Sequence, residues 1–251
     1  MANLVTVDSR THRDLRVSRQ VSPQVAQVDA VSVVPREFQR LVAHYPIFFT
    51  KSSASGLFEP AALLGFQKKE NLFLVEGLWD VAYVPLQLQR QPFSLLPRGE
   101  AQGSLEVAID LGSPQVQTSE GERLFHADGQ PSKYLQNVTS ILSALVSGTK
   151  EGYAFTSRLA ELNLFEPVKI NIEFVDHSQA NLEGLYWIAA AALKALPAPQ
   201  LAELRDREFL EWLYFQMASV AQMSSLVARK NKLLSGVTPP RRPEGSDAGP
   251  A

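Results

Sequence analysis

Chemistry in this chain starts with four histidines, His12, His44, His126 and His177. His126 and Asp128 form a His-x-Asp pair in "FHADG" (125–129), and His177 lies downstream. Two histidines and one carboxylate on a common face can hold iron and leave positions open for oxygen and a co-substrate. His126, Asp128 and His177 are therefore the metal-ligand candidates, and a non-haem iron oxygenase is the enzymatic alternative. Such a pair belongs on a strand, whereas Ala-Asp-Gly is a turn signal. The reading thus favours an exposed turn histidine and assigns no catalytic residue, metal or cofactor. Glu59, Glu76 and Asp80 stand near expected strands, where paired acids would act as acid and base and scattered ones as solvated surface. No cysteine occurs, so disulfides, thiolate catalysis and cysteine-ligated metals are excluded. P-loop, GxGxxG, HExxH and GxSxG patterns are absent.

Binding chemistry is better represented. The segment 79–93 carries Trp79, Tyr83, Arg90 and Phe93, residue types enriched where protein partners are anchored. These four are the partner-binding candidates. Phe209, Leu213, Met217 and Val220 recur at helical spacing, and Leu210 and Tyr214 widen that stripe, which suits a core helix or a partner face.

The elements that must position these residues are legible in outline. "AVSVVP" (30–35) reads as a short strand and "REFQRLVAHY" (36–45) as an amphipathic helix with Tyr45 on its apolar face. Pro46 ends that helix by pushing Tyr45 out of the α region, and "IFFT" follows as a buried strand. "AALLGF" and "NLFLVEG" read as strands joined across "QKKEN", and "LEVAID" (105–110) as another. A helix is expected over 131–162, with Gly148 and Gly152 as break points. Strict alternation in 168–175 predicts a strand with one wet face. "GLYWI" (184–188) is a strand or a helix start, and 199–230 is helical with a break near Asp206. The fold class is α+β, with a mostly antiparallel sheet drawn from the N-terminal half and 168–175, and helices concentrated in the C-terminal half.

The 251 residues form one domain over 30–235 in this reading. Residues 1–29, with Arg10, Arg13, Arg16 and Arg19 unopposed by an apolar stripe, read as a polar, solvated arm. Residues 236–251, rich in Pro, Gly and small polar residues, read as a disordered tail. A net charge of −2 offers no basic field for nucleic acid. No apolar run reaches membrane-spanning length. The start carries no secretory signal pattern, so the expected location is the cytoplasm.

Four stretches together carry a resemblance: "HYPIFFTK" (44–51), "DVAYVPLQLQRQPF" (80–93), "RLFHADGQPSKYLQ" (123–136) and "EGLYWIAAAALKALPAPQLAELRDREFLEWLYFQMASVAQM" (183–223). The chain resembles the SapC family of bacterial proteins from about residue 30 to 233. The family name implies a link to bacterial surface layers. Relatives encoded beside flavin-dependent halogenases and outer-membrane receptors imply an accessory role. The resemblance supplies no catalytic residues. The leading expectation is a non-enzymatic accessory factor that binds a protein or peptide. A surface-layer structural protein is a further alternative.

Overall fold

The structure, a computed structural model, describes residues 3–18, 20–98 and 105–236. In chain order its strands are β1 (Leu4–Thr6), β2 (Arg16–Val17), β3 (Ala30–Ser32), β4 (Ile47–Lys51), β5 (Phe58–Leu63), β6 (Leu74–Val75), β7 (Leu78–Trp79), β8 (Phe93–Pro97), β9 (Leu105–Asp110), β10 (Val116–Gln117), β11 (Glu122–Arg123), β12 (Phe165–Glu173) and β13 (Gln179–Ile188). Its helices are α1 (Pro23–Ala26), α2 (Phe38–Leu41), α3 (Leu86–Gln89), α4 (Lys133–Glu161), α5 (Ala190–Lys194), α6 (Ala198–Asp206), α7 (Phe209–Ser219) and α8 (Gln222–Leu234). The class is α+β. All pairings between these strands are antiparallel, and the long helices fall in the C-terminal half.

The larger core lies against a five-stranded sheet ordered β12-β13-β4-β5-β3. Pro46 acts as its joint: Tyr45 N–H closes the last turn of the preceding helix on Leu41, and the chain then enters β4. Tyr45, Ile47, Phe48 and Phe49 are fully buried. Helix α7 is fastened to that sheet by polar side chains. Gln216 donates to the Ile47 carbonyl at 2.8 Å and accepts from Ile188 N–H at 3.3 Å, and Ser219 Oγ accepts from Ile47 N–H at 3.0 Å. These bonds satisfy strand groups that water cannot reach. Phe155 packs edge-on to Phe38, Phe209 and Trp212, joining α4, α2 and α7.

A smaller core gathers Val17, Phe93, Ile109, Leu124 and Phe125 under Leu135, Val138 and Leu142 of α4. Its walls are the sheets β1-β9-β8 and β10-β2-β11. Here the polar-arm reading needs correction. Residues 4–6 pair with 108–110, residues 16–17 pair with both β10 and β11, and Val17 is 2% exposed. The charged arm looked solvated because its partners lie about a hundred residues away in sequence. Of the expected tail, residues 237–251 lie outside the described residues.

Helix α4 runs unbroken for 29 residues, contrary to the expected break at Gly148 and Gly152. Those glycines are contact points. A Cβ at Gly148 would stand 2.8 Å from Cβ of Val34, and one at Gly152 would stand 3.3 Å from Cδ of Pro35. The helix keeps its geometry, and the missing side chains admit the segment that opens α2. "NLFLVEG" also differs from expectation. Only Leu74–Val75 forms a ladder, and it pairs forward with β7 rather than back with β5. Among the described residues no helix is long and apolar enough to cross a membrane.

Candidate ligand-binding cleft

A cleft of about 340 Å³ opens at the seam between the two cores. Val17, Ser18, Gln20, Val21, Ser22 and Val25 form one side, and Trp79, Val84, Leu88, Gln89 and Gln91 face them. Tyr134, Asn137, Val138 and Ile141 of α4 and Gln115 complete the lining. Its apolar surface is mostly aliphatic, its polar surface is amide and hydroxyl, and no charged side chain is among the described lining residues.

Each wall has a local cause. Ser22 caps α1, its Oγ accepting from Val25 N–H at 3.3 Å, so that Val25 turns inward and is buried. Asn71 secures the same turn by donating to the Val25 carbonyl at 3.2 Å. The facing wall is held from beneath by Glu37, which is 2% exposed. One carboxylate oxygen accepts from Tyr83 O–H at 2.9 Å and from Leu86 N–H at 2.7 Å, and the other accepts from Val34 N–H at 3.1 Å. Leu86 N–H opens α3, so Glu37 satisfies a helix-end donor from another part of the chain. Tyr45 O–H donates to the Tyr83 carbonyl at 2.8 Å, and the Arg40 guanidinium lies 5.5 Å from the Tyr83 ring centre. This network sets α3 so that Leu88 and Gln89 reach the cleft.

Burial pushes the Glu37 carboxyl above its ordinary value, while the donors Leu86, Val34 and Tyr83, together with Arg40, pull the other way. Burial also raises the Tyr83 hydroxyl, and the neighbouring Glu37 adds to that. The group is suited to holding structure, and none of its members lines the cleft.

The four expected partner residues divide. Trp79 lies on the cleft wall, half-buried. Tyr83 is spent on Glu37 and Tyr45. Arg90 donates to Gln87 at 2.7 Å and to the Phe93 carbonyl at 2.6 Å, tying down the turn after α3. Phe93 is 1% exposed and fills the smaller core, so the expectation that it touches a partner is corrected: burial removes it from reach. The stripe Phe209–Leu213 is likewise core, whereas Tyr214 is 57% exposed.

The metal-ligand candidates do not converge. His126 is exposed in the turn before α4, where its N–H donates to Gln130, and Asp128 accepts from Gln130 N–H. His177 is exposed at the turn between β12 and β13, its ring 3.0 Å from Glu173. Among the described residues no group of three or more His, Cys, Asp or Glu side chains could hold a metal ion. Of the acids, Asp80 is paired with Arg229 at 2.9 Å, Glu59 sits in β5, and Glu76 occupies a turn.

Sequence reasoning missed the amides: Gln20, Gln89, Gln91, Gln115 and Asn137 all line the cleft. A signal existed in "LQLQRQ" (86–91), where glutamine recurs at every second position. The stretch is not one strand, however. Helix α3 and the turn after it bring Gln89 and Gln91 to the same opening.

A second opening, of about 700 Å³, lies between the β6–β7 hairpin and α8. Leu72, Leu74, Val75 and Leu233 line it with Asp80, Arg229 and Lys232. Its central cation is engaged, because Arg229 binds Asp80, donates to the Asp80 carbonyl at 3.0 Å and lies 4.6 Å from the Phe73 ring centre.

A family model described as SapC matches residues 7–226. The chain belongs to the SapC family. The match begins inside the N-terminal segment that builds the smaller core, so this SapC-family domain includes β2 and α1 as well as the sheet and helices that follow. Neither a curated protein nor a solved structure matches the chain.

Proposed function

We propose that this SapC-family protein is a non-enzymatic accessory factor that binds a protein or peptide partner through the seam cleft. The observation that carries the reading is the cleft itself: an open site whose described lining is aliphatic and amide-rich, with an aromatic side chain, Trp79, on its wall. Ligand sites combine a mostly apolar surface with a few placed polar groups in this way. The firm setting of α3 by Glu37 supports it further, since a pre-organised wall loses less freedom on binding. Trp79 makes contact in this reading, and Tyr83 and Arg90 position the wall.

A photo-crosslinking amino acid placed at Trp79 in the full-length protein tests the proposal in the native host. A discrete adduct with a second protein is expected from position 79 and not from Val175, which is 57% exposed on the β12–β13 turn. Equal labelling from both positions, or none from position 79, overturns it.

A further inference from the structure

The five-stranded sheet ends on β12, and among the described residues no strand pairs with its outer side. Which main-chain groups face that side follows from the two ends of the β12–β13 ribbon. At one end Phe174 N–H donates to the Ser178 carbonyl, and at the other Ala189 N–H donates to the Leu164 carbonyl. Along an antiparallel ladder bonded and non-bonded pairs alternate. Counting back from Phe174 through Ile172 to Ile170, and forward from Leu164 through Glu166 to Val168, the even-numbered residues bond to β13 from either end. The two counts agree because the extra residue of the register shift lies on β13, where Glu183 and Gly184 together face Lys169. Lys169, Asn171 and Glu173 therefore turn their main-chain N–H and C=O groups outward. Pro167, which has no N–H, falls at an outward position too. The side chains of Lys169, Asn171 and Glu173 are exposed, whereas Val168, Ile170 and Ile172 are half-buried and pack on the larger core.

This edge is complementary to itself. In Lys169-Ile170-Asn171-Ile172-Glu173 the residue types mirror about Asn171 with the charge reversed. We infer that β12 pairs antiparallel with β12 of a second copy of this chain, on a twofold axis at Asn171, and joins the two sheets into one. Asn171 then faces its twin, and the two exchange both main-chain bonds. Lys169 faces Glu173 of the second copy, Glu173 faces Lys169 of the second copy, and Ile170 and Ile172 face each other in the same way. A twofold interface requires this reciprocity, and opposite charges directly across a ladder stabilise it. Neighbouring registers lose the match. An axis at Lys169 or Glu173 sets like charges opposite, and one at Ile170 or Ile172 sets Asn171 against a charge. Lys169 lies 3.1 Å from Glu183 and Glu173 lies 3.0 Å from the His177 ring, but both pairs are exposed and weak enough to rearrange. Lysine and proline ordinarily discourage pairing at a free edge. Pro167 does so for the first part of β12, whereas the counter-charge for Lys169 stands on the second copy. A segment this short covers less than the about 800 Å² per partner of a standard interface, so the dimer depends on concentration.

Sedimentation velocity on the full-length protein over a concentration series tests the pairing. The parent is expected to pass from one chain mass to two as concentration rises. Lys169→Glu and Glu173→Lys are each expected to abolish the dimer, because each sets like charges opposite at both ends of the pairing. Both side chains are exposed, so folding is not at stake. Mixing the two variants is expected to restore association, since the acidic edge of one then faces the basic edge of the other. Asn171→Pro is expected to abolish it with an unchanged circular dichroism spectrum, because the N–H it removes serves no bond to β13. A parent that stays monomeric at the highest concentration it tolerates overturns the inference. So does a dimer that survives any of the three substitutions, or one that the mixture fails to restore. An Asn171 amide already protected from hydrogen exchange in the monomer would place another segment of the chain on this edge, and that also overturns it. These outcomes are independent of crosslinking from position 79, which decides the cleft reading by itself.

Discussion

The two openings on either side of the β6–β7 hairpin are opposites. The larger one, against α8, is rich in charge, yet its central charges are already matched: Arg229 has Asp80, and behind it Lys230 lies 2.5 Å from Glu70 with both side chains largely buried. The smaller one, at the seam of the two cores, holds no described charged residue and keeps unmet hydrogen-bonding capacity at Gln115. Charge is thus spent on contacts with α8, and the described lining of the seam is left with neutral amides. Size alone would have chosen the other groove.

Four substitutions break or sharpen that contrast. The largest effect is expected from Lys230→Ala, which strands the largely buried Glu70 carboxylate, held otherwise by the Phe66 N–H at 2.9 Å. Breaking a buried pair from one side costs about 3–5 kcal/mol, measurable as a lowered denaturant midpoint. Arg229→Ala removes one ion pair, two carbonyl bonds and a ring contact, all partly exposed. About 2 kcal/mol is expected by the same measurement. If either variant is as stable as the parent, the charged groove is not structural and the contrast fails.

Glu37→Gln tests the neutral side through pH. Burial raises the folded carboxyl above its unfolded value, so protons bind the folded state more tightly. Its contribution is then fully present below the ordinary glutamate range and is lost as pH rises through the raised folded value. The parent's margin over the Gln variant should therefore shrink as pH climbs through that window, in melts run side by side. Arg40, Tyr45, Tyr83 and Arg229 are the charged or titratable groups acting on this cluster. A margin that grows with pH would mean that the three donors outweigh burial. The smallest effect is expected from Gln115→Ala, about 1 kcal/mol or less, because it loses one exposed bond, from Nε2 to the Gln20 carbonyl at 2.9 Å, while its Oε1 has none to lose. A large destabilisation there would show that the amide serves the fold.

Much of the frame was legible because its signals are local. Pro46 stands at the entry to β4 as expected, although the helix before it is shorter than the expected 36–45 and already ends at Leu41. The alternation of Val168, Ile170 and Ile172 marked β12, and LEVAID coincided with β9. The break near Asp206 fell between α6 and α7, where Glu208 takes a left-handed conformation. The smaller core was not legible. Its pairs Leu4–Asp110 and Val17–Glu122 each draw in an N-terminal strand of two or three residues, too short to show a period. Nor could pattern distinguish Trp79 at an opening from Phe93 in a core, because both read simply as aromatic mass.

The amino-acid sequence by itself determined the α+β class, the order of the principal elements, the family, and the absence of cysteine chemistry. Periodicity, proline and composition act within a few residues or over the whole chain. Tertiary structure decided which polar groups were left over. Glu37, Tyr83, Arg90 and Lys230 found partners across long separations, whereas the carboxamides gathered at the seam did not all do so. A hydrogen-bonding group is available to a ligand only when the folded chain has not already used it. That balance exists only once distant segments are brought together.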